Sequence, residues 1–422
     1  MKYKRIKSLN PVQKDQLLAL WNEEYPKTLN YNSIKEFEVY LSELKDLSHI
    51  ILIENNTITA WYFDFLRDGE RWFGMIVDSK AQGKRIGSNL LDLAKEKRTE
   101  LNGWVIDHQN EVKANGEPYI SPLEFYLKNG FTTISENRLE NEKLSVVKVV
   151  WKRNFLISCK ELNSIIEDKD LIILNATINE VGTDPEKEEN FQIKGTRFFD
   201  LKNEFCDVNS DFPNTIPKTN QFEENCRKLG INNDSKIVIY DELGVYSSPR
   251  AWFLFKLFGY YNLKVLNGGF PAWKKENLPT ELKEEKSYSN GNFKAKFNKN
   301  LVKDFDFILK ENSNSNYKII DARSEGRFNN TTPDPRKELR SGSIPNSCNL
   351  PHASITENGF FKSKEELKSI FSKLEKEDKK LIFTCGSGIT ACILYLAAEL
   401  INENEKYLYD GSWTEWATKT NS

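Results

Sequence analysis

The sequence has little of what marks a membrane, secreted or nucleic-acid-binding protein. Its 422 residues contain no apolar run of the roughly 18 residues that a membrane span needs. The N-terminal stretch MKYKRIKSLNPVQKDQ lacks the apolar centre of a signal peptide. The net charge is −2 and no strongly basic segment stands out, which argues against a nucleic-acid platform. We therefore expect a cytoplasmic protein with neither a membrane nor a nucleic acid as its partner.

The chain also lacks the cysteine patterns of metal sites and disulfide scaffolds. It has six cysteines, none in a CxxC pair and none grouped with histidine at metal-ligand spacing. Six cysteines in so long a chain are too few for a disulfide framework. A metal site and a thioredoxin-type redox pair are therefore disfavoured. At this length the chain has room for two or three domains.

One cysteine stands in a different context from the other five. In KKLIFTCGSGITACILYLAAEL a predicted buried strand, Leu381–Thr384, ends at Cys385, and a helix is predicted from Ile389 to Leu400. The Gly-Ser-Gly between them lets a tight turn aim several backbone N-H groups at one point, beside the positive end of the helix. Such a turn can bind an anion, and it favours the thiolate form of Cys385.

This stretch lies in the second of two similar segments, residues 156–285 and 300–420. Each contains a strand ending in small polar residues (LIILNAT, KIIDARS), a second strand running into a helix (KIVIYDE, KLIFTCG), and a closing NGGFPAW or DGSWTEW. Alternating strands and helices predict α/β domains with parallel sheets covered by helices. The first copy has Asp241 in place of the cysteine, so only the second has a thiol at this position. The polar stretch between them, KSYSNGNFKAKFNKN, is predicted to be a linker.

Several separated blocks resemble the tandem rhodanese-type sulfurtransferases: CGSGIT, VYSSPRAWFLFKLFG, LNGGFPAWKKENLP, DARSEGRFNNTTPDPRKELRSGSIPNSCNLP and YDGSWTEW. The loop CGSGIT resembles the mercaptopyruvate branch of that family, whereas thiosulfate-preferring members carry a more cationic loop. The resemblance implies that sulfur passes from 3-mercaptopyruvate through a Cys385 persulfide to a thiol or cyanide acceptor, with thioredoxin a candidate. It implies no cofactor for this step, and the sequence makes no prediction of oligomeric state.

The same resemblance implies which residues form the sulfur-transfer site. Cys385 and Ser387 are the expected catalytic residues, Ser387 helping to protonate the leaving enolate. Arg327 and Arg336 are expected to grip the donor carboxylate, because planar guanidinium groups bind carboxylates bidentately. The remaining substrate-binding residues expected are Gly386, Gly388, Ile389, Thr390 and Tyr246.

The sequence departs from the family at two positions that would assist proton transfer. A histidine of the first copy is replaced by Asn214, and its carboxylate partner by Lys202. Asparagine can form hydrogen bonds but cannot act as a general acid or base. The three histidines offer no clear replacement, and His352 is predicted to be a surface residue.

Residues 1–152 form a separate predicted domain. In ERWFGMIVDSKAQGKRIGSNLLDLAKEKR a strand from Arg71 to Val77 leads through a glycine-containing loop to a helix that opens near Gly87, whose amides could receive a pyrophosphate. This order resembles the acetyl-CoA-binding motif of GNAT acetyltransferases, although Arg85 stands where the family has its first glycine. The resemblance implies acetyl-CoA contacts from Gln82, Gly83, Lys84, Arg85, Ile86, Gly87, Ser88 and Tyr126, the last at the position of a general-acid tyrosine.

Two alternatives remain beside the mercaptopyruvate enzyme. The donor could be thiosulfate, although CGSGIT adds no positive charge for a dianion. The chain could instead be a regulator that senses acetyl-CoA and uses a weak rhodanese module for docking. Asn214 favours the regulator, and Cys385 together with Arg327 and Arg336 favours the enzyme.

Overall fold

The computed structural model describes residues 2–95, 97–141, 144–178, 190–284, 286–374, 379–401 and 405–420. The backbone divides into two units, 1–153 and 154–422. No helix in these described ranges is both long and apolar enough to span a bilayer.

The first unit is built around one seven-stranded sheet with the order β1-β2-β3-β4-β5-β7-β6. Its elements are β1 Lys2–Ile6, α1 Pro11–Glu24, α2 Ile34–Glu43, β2 Lys45–Glu54, β3 Thr57–Arg67, β4 Glu70–Val77, α3 Ile86–Lys95, β5 Glu100–Val105, α4 Leu123–Lys128, β6 Thr132–Asn141 and β7 Leu144–Lys152. Apolar residues of α3 pack on one face of the sheet and those of α1 and α2 on the other. Burying both faces is what makes a central sheet of this kind stable.

Strands β4 and β5 are the one parallel pair of the described strands in this sheet, and they separate early. They pair at a single register position, Trp72 opposite Asn102, although β4 continues to Val77 and β5 to Val105. The ladder therefore stops before the carboxyl end of β4. The end of β4 stays paired with β3 but not with β5, and it leads into the loop before α3, where the sequence predicts a pyrophosphate site.

The second unit contains two five-stranded parallel sheets. Its first half comprises β8 Leu156–Ile157, α5 Cys159–Ser164, β9 Leu171–Asn175, β10 Phe191–Ile193, β11 Thr196–Phe198, α6 Thr219–Lys228, β12 Lys236–Tyr240, α7 Ser248–Leu257, β13 Leu263–Leu266, α8 Gly269–Lys275 and β14 Thr280–Leu282. Its second half comprises β15 Val302–Lys303, α9 Phe305–Glu311, β16 Tyr317–Asp321, α10 Glu325–Phe328, β17 Cys348–Asn349, β18 Thr356–Glu357, β19 Phe360–Phe361, α11 Lys364–Ser372, β20 Lys380–Thr384, α12 Ala391–Leu400, β21 Lys406–Tyr409 and α13 Ser412–Lys419.

The two sheets have the same strand order. The first runs β11-β9-β12-β13-β8 and the second β17-β16-β20-β21-β15, so each strand has its counterpart in the other repeat. All pairs within both sheets are parallel. The predicted repeat of α/β units with parallel sheets is therefore confirmed. In each repeat the middle strand, β12 or β20, runs into a largely buried helix.

Those two helices, α7 and α12, pack against each other and join the repeats through one hydrophobic core. Every residue of α12 is buried. The helix begins at Ala391, two residues after the predicted start at Ile389, because residues up to Thr390 belong to the turn that follows Cys385. The turn is thus attached to a helix that cannot move without disturbing the core of both repeats.

The polar stretch 286–300 connects the repeats, and part of it packs into the core. Phe293 is fully buried and lies in a cluster of aromatic rings with Phe222, Phe255 and Tyr260. The Phe293 N-H donates to the carbonyl of Ile231 at 3.1 Å. One aromatic residue therefore anchors a segment whose composition otherwise resembles a surface loop.

We expect Phe293→Ala to destabilise the second unit by about 3 to 5 kcal/mol, because it removes a buried ring and leaves a cavity. Phe297→Ala is the matched control, since Phe297 is in the same segment but 44% exposed. Urea unfolding of the full chain would compare the two. Equal small effects would mean that the segment contributes little to the core.

Candidate active site

Cys385 lies directly after the middle strand β20 and is 2% exposed. Its N-H donates to Ser412 Oγ at 3.2 Å, and its carbonyl accepts from the Trp413 N-H at 2.9 Å. Ser412 has a left-handed backbone, with φ of 54°, and its hydroxyl donates to the Tyr409 carbonyl. Both backbone groups of Cys385 are therefore fixed by the start of α13.

The turn after Cys385 presents unpaired backbone donors. Within the described part of the chain, the N-H groups of residues 386–391 donate no hydrogen bond. Gly388 has φ of 80°, and a Cβ there would lie 3.1 Å from the Asp410 carbonyl oxygen, so the turn needs glycine at this position. A series of free amides ahead of a helix is an anion-binding arrangement.

The first repeat supports this interpretation, because a carboxylate occupies the equivalent turn. Asp241 follows β12 as Cys385 follows β20. Its Oδ2 accepts from the N-H groups of Tyr246, Ser247 and Ser248 at 2.9, 3.0 and 2.8 Å. Its Oδ1 accepts from the Leu243 N-H at 3.0 Å. The turn at the same position of the repeat thus holds a carboxylate with its backbone amides in one copy and carries a thiol in the other.

Ser387 is contacted by side chains from both repeats. Its Oγ accepts from Asn214 Nδ2 at 2.9 Å and from Arg336 Nη2 at 3.1 Å. Asn214 has φ of 59°, a left-handed conformation that asparagine adopts more readily than most residues. Since a hydroxyl oxygen has two acceptor sites, these donors fill both and leave the Ser387 proton free to be donated.

Two guanidinium groups lie over the turn. A Cβ at Gly386 would be 3.1 Å from Arg327 Nη2 and 3.4 Å from Arg336 Nη1. Asp334 lies with them: its Oδ2 accepts from Arg327 Nη2 at 2.6 Å and its Oδ1 from the Arg336 N-H at 3.0 Å. The site therefore combines free amides and two cations above the sulfur-bearing turn.

A buried ion pair supports the turn from behind. Arg250 of α7 is almost fully buried; its Nη1 lies 2.9 Å from Asp410 Oδ1, and its Nη2 donates to the Asn214 carbonyl at 2.6 Å. Asp410 Oδ2 accepts from the Ile216 N-H at 2.8 Å. Burial by itself would lower the pKa of Arg250, but the attraction of Asp410 raises it above its ordinary value. The guanidinium therefore stays charged.

Cys392, the other cysteine near the turn, is not suited to be a nucleophile. Its Sγ donates to the Gly388 carbonyl at 3.2 Å. Burial raises the pKa of the Cys392 thiol to about 12. The Cys392 thiol therefore remains protonated at neutral pH. Because only the thiolate is reactive, Cys392 is a poor nucleophile.

The turn opens into a cavity of about 850 Å³ that both repeats line. All the predicted sulfur-site residues line it except Gly388, which shapes the turn: Cys385, Gly386, Ser387, Ile389, Thr390, Tyr246, Arg327 and Arg336. Asn214 and Lys202, the two departures from the family, also line it. Residues that are far apart in sequence thus meet at one site.

Sequence reasoning missed Asp334, Ser412, Arg250 and Asp410. Comparing the two repeats could have found Ser412, because the first repeat has Gly269 in the same left-handed position, with φ of 55°. Nothing in the sequence indicates that Arg250 and Asp410 pair across the repeats. Asp334 is adjacent to the predicted arginines in sequence, but its burial becomes evident only in the fold.

His352 is partly exposed. Its ring packs edge-on against Tyr246, with centroids 5.8 Å apart. Burial lowers the pKa of His352, which keeps the ring neutral near pH 7. His352 does not line the described cavity, and it therefore does not replace the family histidine.

The predicted pyrophosphate loop of the first unit also presents unpaired amides. Among described residues, the N-H groups of 83–88 have no acceptor. Gly83 and Arg85 both have left-handed backbones, with φ of 78° and 60°. The side chain of Gln82 donates to the Val77 carbonyl at 3.1 Å, which ties the loop to the end of β4. The loop and the first turn of α3 contain all seven predicted residues from Gln82 to Ser88.

Tyr126 lies on α4 beneath this region and is largely buried. Its ring packs edge-on against Phe73 and Phe131. Burial raises the pKa of Tyr126, so the phenol is protonated at neutral pH. A protonated phenol is the form that a general acid requires.

Comparison with known families gives two matches. The family described as rhodanese-like domain matches residues 158–276 and 306–419. The family described as acetyltransferase (GNAT) domain matches residues 13–152.

Individual relatives match the second unit at similar identity. The 3-mercaptopyruvate sulfurtransferase of Mus musculus is 36% identical over 242 residues, 56% of this chain and 80% of that protein. The thiosulfate sulfurtransferase of Rattus norvegicus is 37% identical over 253 residues, 58% of this chain and 84% of that protein. Relatives named for either donor therefore match about equally well.

Solved structures of sulfurtransferases also resemble this chain. The 3-mercaptopyruvate sulfurtransferase of Escherichia coli aligns with a TM-score of 0.56 and 31% identity, covering 62% of this chain and 99% of that one. A sulfur transferase subunit of yeast mitochondrial complex I aligns with a TM-score of 0.56 and 33% identity, covering 63% of this chain and 96% of that one.

Proposed function

The chain belongs to the rhodanese family, and on that premise we propose that it transfers sulfur from 3-mercaptopyruvate, through a persulfide on Cys385, to a thiol or cyanide acceptor. The observation that carries this proposal is the turn of free amides at Cys385 beneath two guanidinium groups. Such a turn stabilises a sulfur anion, and the arginines suit a donor that carries a carboxylate.

In the first half-reaction the Cys385 thiolate attacks the sulfur of the donor. A sulfur-sulfur bond forms while the carbon-sulfur bond of mercaptopyruvate breaks, and the electron pair leaves with the carbon as pyruvate enolate. The enolate takes a proton and becomes pyruvate. Ser387 is suited to supply that proton, since both acceptor sites of its oxygen are filled by Asn214 and Arg336.

In the second half-reaction an acceptor anion attacks the outer sulfur of the persulfide. The sulfur-sulfur bond to Cys385 breaks, its electron pair returns to Cys385 as thiolate, and the acceptor leaves with the sulfur. The free amides of residues 386–391 stabilise the anion before and after this step. The cavity of about 850 Å³ leaves space for a thiol acceptor beyond the donor position.

Asn214 changes the proton route expected of the family. It donates a hydrogen bond to Ser387 and so orients the hydroxyl, but an amide cannot relay a proton. The described lining of the cavity includes no histidine. Ser387 must therefore regain its proton from water, which makes proton delivery a candidate for the slow step.

The donor choice rests on the local residues, because relatives named for both donors match equally well. The loop Cys-Gly-Ser-Gly adds no cationic side chain after the nucleophile. A dianion such as thiosulfate would gain more from such added charge than a monoanion. Mercaptopyruvate is therefore the proposed donor and thiosulfate the alternative.

For the first unit we propose acetyl-CoA binding by the loop before α3. The free N-H groups of residues 83–88 suit a pyrophosphate, and Arg85 adds a positive charge beside them. The early separation of β4 from β5 leaves unpaired backbone next to that loop, where an extended chain could bind. Bound acetyl-CoA would supply an activated acetyl group, and Tyr126 is suited to act as the proton donor.

The proposed location is the cytoplasm. None of the six cysteines forms a disulfide bond. Sulfur transfer requires Cys385 as a free thiol, which a reducing compartment maintains.

The first test measures the intact mass of the full chain after incubation with each donor. Mercaptopyruvate should add the mass of one sulfur atom to the wild-type protein, and Cys385→Ser should add none because an alcohol cannot hold persulfide sulfur. Cys348→Ser is the control, since Cys348 does not line the cavity, and it should load like wild type. A loaded Cys385→Ser protein would exclude this mechanism.

The second test replaces Asn214. With mercaptopyruvate, Asn214→His should raise kcat by about tenfold, below the usual range for acid-base assistance because Lys202 cannot orient the ring. Asn214→Gly keeps the left-handed backbone without the side chain, and it should lower kcat. With thiosulfate, whose leaving group needs no such proton, both changes should do little. No gain with mercaptopyruvate in a folded Asn214→His protein would place the proton route elsewhere.

The third test addresses acetyl-CoA. Ser88→Asp puts a negative charge at the start of α3, where it repels phosphate but favours the helix, so binding should weaken by at least about tenfold. Ser88→Asn has nearly the same shape without the charge, and it should bind like wild type. Calorimetric titration of the full chain with acetyl-CoA would measure both. Equal affinity of the two variants would argue against a pyrophosphate site in this loop.

A further inference from the structure

Asp334 holds the two arginines that lie over the catalytic turn. Its side chain is 1% exposed, and it contacts Arg327 Nη2 at 2.6 Å and the Arg336 N-H at 3.0 Å. The distance from its Oδ1 to Arg336 Nη1 is 4.0 Å. The carboxylate is therefore an internal counter-ion of the cationic pair.

This contact sets the charge that a donor meets. Arg327 and Arg336 contribute two positive charges and Asp334 one negative charge, so the group carries a net charge of +1. The other buried pair near the turn, Arg250 with Asp410, is neutral overall. Together with the Cys385 thiolate the group is neutral before a donor binds, so each negative charge of a donor is in excess and a dianion is disfavoured more than a monoanion.

The same contact decides which donor groups of the arginines remain available. Arg327 uses Nη2 for Asp334, while its buried Nε has no partner among the described residues. Arg336 uses Nη2 for Ser387. Each guanidinium is thus oriented on one side by the protein and keeps other N-H groups for the sulfur substrate. This arrangement suits the two oxygens of one planar carboxylate.

We propose that Asp334 is a specificity-determining residue: by halving the charge of the arginine pair and orienting it, Asp334 selects monoanionic carboxylate donors over dianionic ones. The inference rests on the proposed sulfurtransferase function. Under this proposal, part of the preference among sulfur donors comes from a residue outside the turn that follows Cys385. Removing the carboxylate raises the net charge to +2, and this benefits a dianion twice as much as a monoanion.

The experiment compares kcat/KM for thiosulfate and mercaptopyruvate in the full chain. Asp334→Asn should raise the ratio of thiosulfate to mercaptopyruvate by about tenfold, because charge attraction grows for the dianion and orientation is lost for the carboxylate. Asp334→Glu restores the charge and should return the ratio close to that of wild type. The gain with thiosulfate should shrink as salt is added, since salt screens the interaction.

Asp211→Asn is the matched control. It removes one negative charge, as Asp334→Asn does, but from an exposed residue that lines the cavity together with the two arginines. Its effect on the ratio should stay below about twofold, because water screens exposed charges.

The outcomes separate the inference from the function on which it rests. An unchanged or lower ratio in folded Asp334→Asn overturns the inference, as does an equal fall with both donors, which would mean that Asp334 only supports the loop. A ratio that rises equally in Asp211→Asn also overturns it. Wild-type protein that accepts sulfur from neither donor would instead reject the proposed function.

Discussion

The candidate site depends on the buried ion pair between Arg250 and Asp410. One partner comes from α7 of the first repeat and the other from the segment before α13 of the second. Through them the turn at Gly388 and the backbone at Asn214 and Ile216 are held in one arrangement. Losing either partner would leave a buried charge unpaired, which typically costs about 3 to 5 kcal/mol. The ion pair therefore couples the stability of the second unit to the geometry of its cavity.

This dependence explains how a repeat without a nucleophile can still be needed. In the first repeat the amides of the turn already bind a carboxylate, that of Asp241, so no sulfur chemistry is available there. The repeat instead contributes side chains to the cavity formed by its partner, Asn214 to Ser387 and Tyr246 to the wall. The two repeats therefore have the same fold but different roles in the cavity: the second carries the thiol, and the first provides part of the wall around it.

The sequence was sufficient for the features that depend on local order. Strand, turn and helix around Cys385 follow from an apolar run, three small residues and a second apolar run, and the repeat follows from their recurrence. Long-range charge pairing was not accessible, because Arg250 and Asp410 are brought together only by the packing of α7 on α12. The burial of single side chains was not accessible either: Phe293 is buried within a polar stretch, and the ring of His352 packs against Tyr246.

The left-handed backbone of Ser412 bears on the design of a chain with two sulfur carriers. In the first repeat the Phe270 N-H donates to the Asp241 carbonyl, as the Trp413 N-H does to Cys385, but Gly269 offers no hydroxyl to the amide of Asp241. Replacing Asp241 by cysteine would thus install a thiol whose own N-H lacks the anchor present in the second repeat. A serine at Gly269 cannot supply that anchor without moving the backbone, because a Cβ there would lie 2.4 Å from the carbonyl oxygens of both Asp241 and Gly244. The first repeat therefore has no room for the hydroxyl anchor, and a second sulfur-carrying turn would require a rebuilt loop as well as a cysteine.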